Sequence, residues 1–164
     1  MSAYEALAGV YDALTGDVGY ERRADYLEKL FRRSRIPVHT VLDLACGTGE
    51  MTAILTERGY ELIAADASVE MLARAREKAA GLTGEPPVFL NQTMTGLDLY
   101  GTVDAAICCL DSLNYVTRPA AARRTFRRVW EALRPGGLFL FDIRTPEMLR
   151  SMDGQVCLDE TEDV

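Results

Sequence analysis

Apolar residues along this chain follow two different spacings. Short continuous apolar runs predict strands buried on both faces, at 41–44, 61–66, 88–92, 102–110 and 138–143. Between these runs, apolar residues recur at helical intervals, which predicts helices over 20–35, 49–58, 69–80 and 119–133, with a weaker candidate at 3–15. The strands alternate with helices through most of the chain. This order predicts an α/β fold built on a doubly wound parallel sheet of about five strands.

The last predicted helix, 119–133, opens with a proline and is followed by Pro135-Gly136-Gly137, which favours termination there. Four of its apolar residues are expected to pack inward, namely Phe126, Val129, Trp130 and Leu133. The strand that follows, 138–143, is largely apolar on both faces and is the last one that the pattern predicts. We therefore expect it to form an edge of the sheet.

Composition excludes several classes of protein. The chain has 164 residues, of which 48% are hydrophobic and 26% charged, and this is typical of one globular domain. Its 18 basic and 25 acidic residues give a net charge of −7, so generic nucleic-acid binding is not expected. No apolar run approaches the roughly 18–20 residues of a membrane span, and no signal peptide is recognisable. These features predict a cytoplasmic protein.

The four cysteines give no sign of a metal or redox site. Their positions, Cys46, Cys108, Cys109 and Cys157, match neither a zinc-binding spacing nor a Cys-x-x-Cys pair. We expect reduced cysteines that pack as small apolar side chains, and we predict no metal.

The strongest chemical signal follows the first predicted strand, where Asp43 leads into a loop containing Gly47 and Gly49. Open α/β sheets bind ligands at the carboxyl ends of their strands, and the glycines permit a tight turn and a close approach to a ligand. A dinucleotide fingerprint would need a third glycine where Thr52 stands, and no phosphate-binding P-loop is present. The loop is therefore typical of a nucleoside site, but not of a diphosphate site.

Asp66 ends the second predicted strand, 17 residues after Gly49. An acid at this place can accept hydrogen bonds from both hydroxyls of a ribose. The alternative is a structural role as a helix cap before Ser68. Because the acid and the glycine loop occur together, the ribose role is favoured.

Four segments together resemble a class I S-adenosylmethionine-dependent methyltransferase: VLDLACGTGEMT, IAADASVEMLARAREKA, DAAICCLDSLNYV and FRRVWEALRPGGLFLFDI. They occur in the family's order, and the resemblance covers about residues 4–150. It is closest to the small bacterial methyltransferases and extends more weakly to the sugar N-methyltransferases of antibiotic pathways.

The resemblance implies one methyltransferase domain over 1–164, with an N-terminal helical cover at 1–36 and a Rossmann-like, cofactor-binding core at 40–143. It also implies a set of residues around S-adenosylmethionine. The set comprises Asp43, Ala45, Gly47 and Gly49 at the methionine part, Asp66 at the ribose, Ala67, Met71, Thr93 and Met94 at the adenine, Cys109 and Leu110 above the fourth strand, and Tyr11 and Tyr20 from the cover.

The chain departs from the family pattern in two places. The acid that commonly binds the adenine amine is replaced by Thr93, whose uncharged hydroxyl is a weaker acceptor. The antiparallel hairpin that normally ends the family's sheet is not found in 144–164, so this segment looks incomplete and the chain looks truncated. The edge strand at 138–143 is then expected to be uncovered and to promote self-association.

The implied function is methyl transfer from S-adenosylmethionine to an acceptor, expected to be a small molecule, without a membrane partner. Asp111 and Tyr115 follow the fourth strand and are candidate catalytic residues, although a loop of this composition can equally serve to cap and pack. Two alternatives stay open. One is a cofactor-binding fragment or module without catalysis, and the other is a nicotinamide-dependent oxidoreductase, which Thr52 disfavours.

Overall fold

The computed structural model describes residues 18–153. The strands in this part of the chain are β1 (Thr40–Leu44), β2 (Glu61–Asp66), β3 (Val88–Asn91), β4 (Val103–Cys108) and β5 (Leu133–Phe141). The helices are α1 (Tyr20–Phe31), α2 (Glu50–Glu57), α3 (Val69–Ala79), α4 (Pro119–Ala132) and α5 (Pro146–Ser151), with 3-10 turns at Met94–Gly96 and Ser112–Tyr115. The helix predicted at 3–15 and the predicted cofactor residue Tyr11 lie outside the described residues.

All five strands are parallel and lie in the order β3-β2-β1-β4-β5. The central strands β1 and β4 pair in the register Val41 to Ala105 and Leu42 to Ala106. Every residue of β4 is buried, because helices cover the sheet on both faces. The predicted doubly wound α/β fold is confirmed.

Two apolar clusters fill the spaces between the sheet and its helices. One contains Leu42 and Cys108 of the sheet together with Val129 of α4. The other contains Val41 and residues of α1 and α2, including Leu55. Alternate residues of each central strand therefore pack on opposite faces, as expected for strands that are buried on both sides.

Helix α1 is held against the sheet layer by charge as well as by apolar packing. The Arg58 guanidinium, at the end of α2, lies 2.5 Å from the carboxylate of Glu21, 2.8 Å from that of Asp25 and 2.9 Å from that of Glu28. These acids recur along one side of α1, so a single arginine binds three points of that helix. A network of this kind fixes orientation better than an isolated exposed pair.

The prediction that Phe126 and Trp130 pack inward on α4 is wrong. Trp130 is 76% exposed and Phe126 is 41% exposed, whereas Val129 is buried as predicted. The buried side of α4 contains Thr125, Val129 and Ala132, so the aromatic residues fall on a neighbouring stripe. Phe126 lies beside β5, where its ring packs edge-on against Phe139 and Phe141 with centroids 5.7 and 5.5 Å apart.

Three predicted boundaries also differ from the structure. β5 begins at Leu133 rather than 138, because Pro135-Gly136-Gly137 lies inside the strand as an irregularity in its pairing with β4. β4 ends at Cys108 rather than 110, because Leu110 takes a left-handed backbone conformation with φ 56°. α1 ends at Phe31, four residues before the predicted end.

The outer edge of β5 pairs with no other strand within residues 18–153. Phe141 at the end of β5 and Ile143 just after it are exposed. The expected apolar edge is therefore present in the part of the chain that the structure describes. No helix in this part is long and apolar enough to cross a membrane.

Candidate functional site

A cavity of about 510 Å³ lies where the carboxyl ends of β1, β2, β3 and β4 meet. It brings together nine of the residues that the sequence predicts for the site. These are Ala45, Gly47, Asp66, Ala67, Met71, Thr93, Met94, Leu110 and Tyr115. The topology explains the clustering, since successive parallel strands deliver their following loops to the same edge of the sheet.

Asp66, at the end of β2, places its carboxyl group at the cavity, where two backbone groups hold it. Its Oδ2 accepts a hydrogen bond of 2.9 Å from the Gly47 backbone N–H, and its Oδ1 accepts one of 2.8 Å from the Ser68 N–H. Each carboxylate oxygen retains lone pairs for a further donor. Asp66 can therefore cap the following helix and bind a ligand at the same time. The two backbone bonds orient the carboxylate and leave lone pairs that can accept hydrogen bonds from a ligand.

The two glycines of the loop after β1 meet different surroundings. Both have positive φ, 56° at Gly47 and 80° at Gly49. A Cβ atom on Gly47 would have no atom within 4 Å, so space for a ligand exists there. A Cβ atom on Gly49 would lie 2.9 Å from the Cβ of Ala75, so this glycine permits the close contact between the loop and α3.

Asp43 is buried beneath the loop and is not among the residues that line the cavity. Burial raises its pKa to about 6, against the opposing effect of a 2.6 Å hydrogen bond from the Thr52 hydroxyl, and the charge of Asp66 raises it further. Thr52, which replaces the third glycine of the dinucleotide pattern, is thus the partner of this buried acid.

The candidate catalytic residue Asp111 does not line the cavity either. Its carboxylate lies 2.7 Å from the Nε of Arg144. Leu110 and Asp111 both have left-handed backbone conformations, with φ 56° and 50°. The chain therefore turns sharply as it leaves β4, and this turn presents Leu110 to the cavity while Asp111 faces Arg144.

Two more of the predicted cofactor residues within the described range pack elsewhere. Tyr20 and Cys109 pack against the apolar cluster that contains α1 and α2. Burial raises the pKa of the Cys109 thiol, and burial likewise raises the pKa of Cys46. Both thiols are therefore protonated at neutral pH, and they are free cysteines as expected.

The loop after β3 is fixed by its own hydrogen bonds. The Thr93 hydroxyl accepts a 3.1 Å bond from the Gly96 N–H and so caps the 3-10 turn. Gln92 donates to the backbone carbonyl of Asp98 and accepts from its N–H. Residues 92–95 of this loop form part of the cavity lining.

The lining of the cavity fits an adenosyl group. It combines apolar surface from Ala67, Met71 and Met94 with the carboxylate of Asp66 and the open space at Gly47. Among residues 18–153, no group of three or more His, Cys, Asp or Glu side chains could hold a metal ion. The apolar surface suits an uncharged base, and the Asp66 carboxylate can accept hydrogen bonds from a ribose.

Several cavity residues were not predicted as site residues. They are Ser68, Val69, Glu70, Gln92, Thr95, Ser112 and Val116. All lie within a few positions of residues that were predicted. What they share is their position soon after β2, β3 or β4. Position alone would have predicted them as site residues, whatever their side-chain type.

Comparison with known proteins gives three consistent findings. A family model described as "Methyltransferase domain" matches residues 41–137. "Putative methyltransferase YqeM" of Bacillus subtilis is 39% identical over 146 residues, which cover 87% of this chain and 56% of that protein. A crystal structure of an S-adenosylmethionine-dependent methyltransferase from Clostridium acetobutylicum is similar with a TM-score of 0.81 and 31% identity, covering 99% of this chain and 66% of that one.

A further solved structure contains the cofactor. It is that of SAM-bound CalS10, an amino pentose methyltransferase from Micromonospora echinaspora involved in calicheamicin biosynthesis. The TM-score is 0.76 at 26% identity, over 84% of this chain and 58% of that chain. The chain thus spans between half and two thirds of the length of these relatives.

Proposed function

Because the chain belongs to the class I S-adenosylmethionine-dependent methyltransferases, we propose that its cavity binds S-adenosylmethionine and that the site methylates a small-molecule acceptor. The observation that supports this most directly is the carboxylate of Asp66, held by the Gly47 and Ser68 N–H groups at the edge of the cavity. In this arrangement Asp66 would bind both ribose hydroxyls.

The other walls would hold the remaining parts of the cofactor. Ala67 and Met71 offer apolar surface for the adenine, and Thr93 lies on the neighbouring loop. Ala45 and Gly47 would lie against the methionine part, where the open space at Gly47 allows close approach to the backbone. The bound cofactor supplies an electrophilic methyl group on a sulfonium.

The residues around the cavity have to orient the methyl acceptor more than they have to remove a proton from it. Tyr115 and Ser112 line the cavity where the methyl acceptor would enter. The Ser112 hydroxyl donates to the Cys109 carbonyl at 2.8 Å, and its oxygen can still accept a hydrogen bond from an amine N–H. Asp111 is engaged by Arg144, so we do not assign proton removal to it. An amine can attack as the neutral base, and positioning alone then supplies much of the rate. The amino pentose acceptor named for CalS10 supports this choice of acceptor class.

Calorimetry with S-adenosylhomocysteine and NAD tests the binding proposal. We expect the first ligand to bind and NAD to bind much more weakly. Asp66→Ala should lower the affinity for S-adenosylhomocysteine by about ten- to a hundredfold, because hydrogen bonds to a charged acceptor are lost. Asp98→Ala is the matched control, since Asp98 is exposed, does not line the cavity, and binds Gln92 only through its backbone. Comparable NAD binding would instead favour a nicotinamide enzyme.

Transfer of a labelled methyl group tests the second half of the proposal. The acceptors would include amino pentoses, amino acids and their hydroxyl counterparts, with the Asp66→Ala variant as the negative control. Label in an amine acceptor supports the proposal. Binding of the cofactor without transfer to any acceptor would favour a cofactor-binding module.

A further inference from the structure

The turn that leaves β4 is held in place by residues that follow β5, whose carboxyl end lies beside that of β4. Leu110 and Asp111 are consecutive residues with left-handed backbone conformations, and neither is a glycine. Side chains other than glycine adopt this conformation only at a cost, so adjacent interactions must stabilise the turn. Leu110 is also part of the cavity wall, so the shape of this turn determines the shape of the cofactor site.

Asp142, directly after β5, supplies one of these interactions. Its Oδ1 accepts a 3.1 Å hydrogen bond from the backbone N–H of Asp111. Its Oδ2 lies 3.4 Å from the guanidinium of Arg23 on α1. One carboxylate therefore connects the turn after β4 with helix α1, which packs on the face of the sheet that contains Val41.

Arg144 binds the same turn on its other side. Its Nε lies 2.7 Å from the Asp111 carboxylate, and its backbone N–H donates to the Asn114 side chain at 3.3 Å. The Asn114 N–H in turn donates to the Asp111 carbonyl at 2.8 Å. The backbone N–H, the carbonyl and the carboxylate of Asp111 are thus all engaged.

We infer that Asp142 is a positioning residue for the cofactor site, because it holds Leu110 and Asp111 in the left-handed turn that forms one wall of the cavity. This inference rests on the proposed function. Asp142 itself does not line the cavity, so its effect on binding passes through the Asp111 N–H.

Affinity for S-adenosylhomocysteine in matched variants tests the inference. Asp142→Leu removes the acceptor, and we expect it to weaken binding by about tenfold, the effect of one lost hydrogen bond to a charged group. Asp142→Asn keeps an oxygen acceptor and should stay within about twofold of the wild type. Arg23→Gln breaks the connection of Asp142 to α1 and a 3.4 Å bond from Arg23 to the Val18 carbonyl, and it leaves the Asp111 N–H bond in place. It is the control with unchanged affinity.

A double variant distinguishes an effect on the conformation of the turn from an effect on the stability of the whole fold. In Asp111→Gly/Asp142→Leu, the glycine adopts a left-handed backbone without help, so binding should recover most of the loss. The amide resonance of Asp111 should shift in Asp142→Leu and not in Arg23→Gln, which reports the hydrogen bond directly.

Wild-type affinity in a folded Asp142→Leu variant would overturn the inference, as would a double variant that binds no better than Asp142→Leu. Failure of both variants to fold would assign Asp142 to the stability of the whole chain, and would overturn it too. If the wild type itself does not bind S-adenosylhomocysteine, the proposed function fails first, so the two failures are distinguishable.

Discussion

The carboxyl edge of the sheet and the outer edge of β5 are built in opposite ways. At the carboxyl edge, polar groups are held by defined partners, as Asp66 is by the Gly47 and Ser68 N–H groups. At the outer edge of β5, the apolar side chains of Phe141 and of Ile143 just after it are exposed instead. Both edges leave groups available for binding, but only the first fixes their direction.

This difference separates a ligand site from a contact surface. A small ligand needs donors and acceptors in fixed positions, which is the arrangement around Asp66. An exposed strand edge with aromatic neighbours offers backbone hydrogen bonds and apolar area, which suit another polypeptide. The two edges therefore respond to different substitutions, and the four predictions below use that contrast.

Gly49→Ala should produce the largest effect, because it disrupts the packing beneath the ligand site. The new Cβ would lie 2.9 Å from the Ala75 Cβ, and the backbone φ is 80°. Overpacking and the left-handed conformation together should lower the free energy of unfolding by about 3 kcal/mol, measured in urea.

Gly47→Ala is the matched control for this substitution. Its Cβ would meet no atom within 4 Å, so only the conformational cost of about 1 kcal/mol is expected. Equal losses of stability at the two glycines would contradict this account of Gly49. Addition of Ala75→Gly to Gly49→Ala should restore part of the loss.

Asp43→Asn should stabilise the protein above pH 6. The pKa of Asp43 is raised in the folded state to about 6 from its ordinary value of 3.8, so wild-type stability falls as pH rises through this window. The variant lacks this titration. We expect it to gain about 2 kcal/mol over the wild type at pH 8, part of the shift being offset by a weaker bond from Thr52. The gain should vanish below pH 3.8.

Urea unfolding of both proteins from pH 4 to pH 8 would measure this difference. A constant difference across the range would show that Asp43 does not titrate in the window. Thr52→Val would then test the partner separately, because its loss should raise the pKa of Asp43 further.

At the other edge, we propose that β5 mediates self-association with a second copy of the chain. The same apolar edge on two copies can pair, and the Phe126, Phe139 and Phe141 rings would extend the contact. Phe141→Lys should weaken association by about tenfold in sedimentation, since a charge on an edge strand opposes pairing. Tyr100→Lys is the control, because Tyr100 is fully exposed and belongs neither to β5 nor to the cluster of phenylalanine rings. A wild-type chain that stays monomeric would refute the proposal.

Thr93→Asp should give the smallest effect, and it tests whether the adenine amine lies beside residue 93 at the carboxyl edge of the sheet. Asp is as good a cap as Thr for the 3-10 turn, so the loop should keep its shape. A charged acceptor near the adenine amine should then tighten S-adenosylhomocysteine binding by about threefold. Thr93→Val is the matched control without an acceptor. Weaker binding by the Asp variant would place the adenine amine elsewhere.

The sequence predicted those features that depend on local pattern and on strand order. The apolar runs and the glycine loop were sufficient to anticipate the parallel sheet and the place of Asp66 at its carboxyl edge. Both follow from physical rules that act over short stretches of chain, since strand ends and their following loops are adjacent in sequence.

Features set by tertiary contacts could not be predicted in the same way. The helical spacing of α4 allowed two apolar stripes, and nothing local indicated that the stripe with Trp130 would be the exposed one. The ion pair between Asp111 and Arg144 joins loops 33 positions apart, and its effect is to direct Asp111 away from the cavity. The role of Gly49 likewise depends on Ala75, a residue of a different helix.

The buried carboxylate of Asp104 has a consequence for the ligand edge, although it lies at the opposite end of the sheet. Its Oδ2 accepts hydrogen bonds from the His39 and Thr40 N–H groups at 2.9 and 3.0 Å, and its Oδ1 lies 2.8 Å from Arg134. Burial opposes the ionisation of Asp104, but these hydrogen bonds and the charge of Arg134 hold its pKa below the ordinary value.

This carboxylate thereby fixes the alignment of three neighbouring strands along their length. A slip of β1 by one residue against β4 would break both backbone bonds to Asp104 and turn every side chain of β1 to the other face. The Gly47 loop starts at the far end of β1, about 13 Å away for four residues of extended chain. The position of that loop, and therefore the geometry offered to a ligand, depends on hydrogen bonds made at the amino ends of the strands.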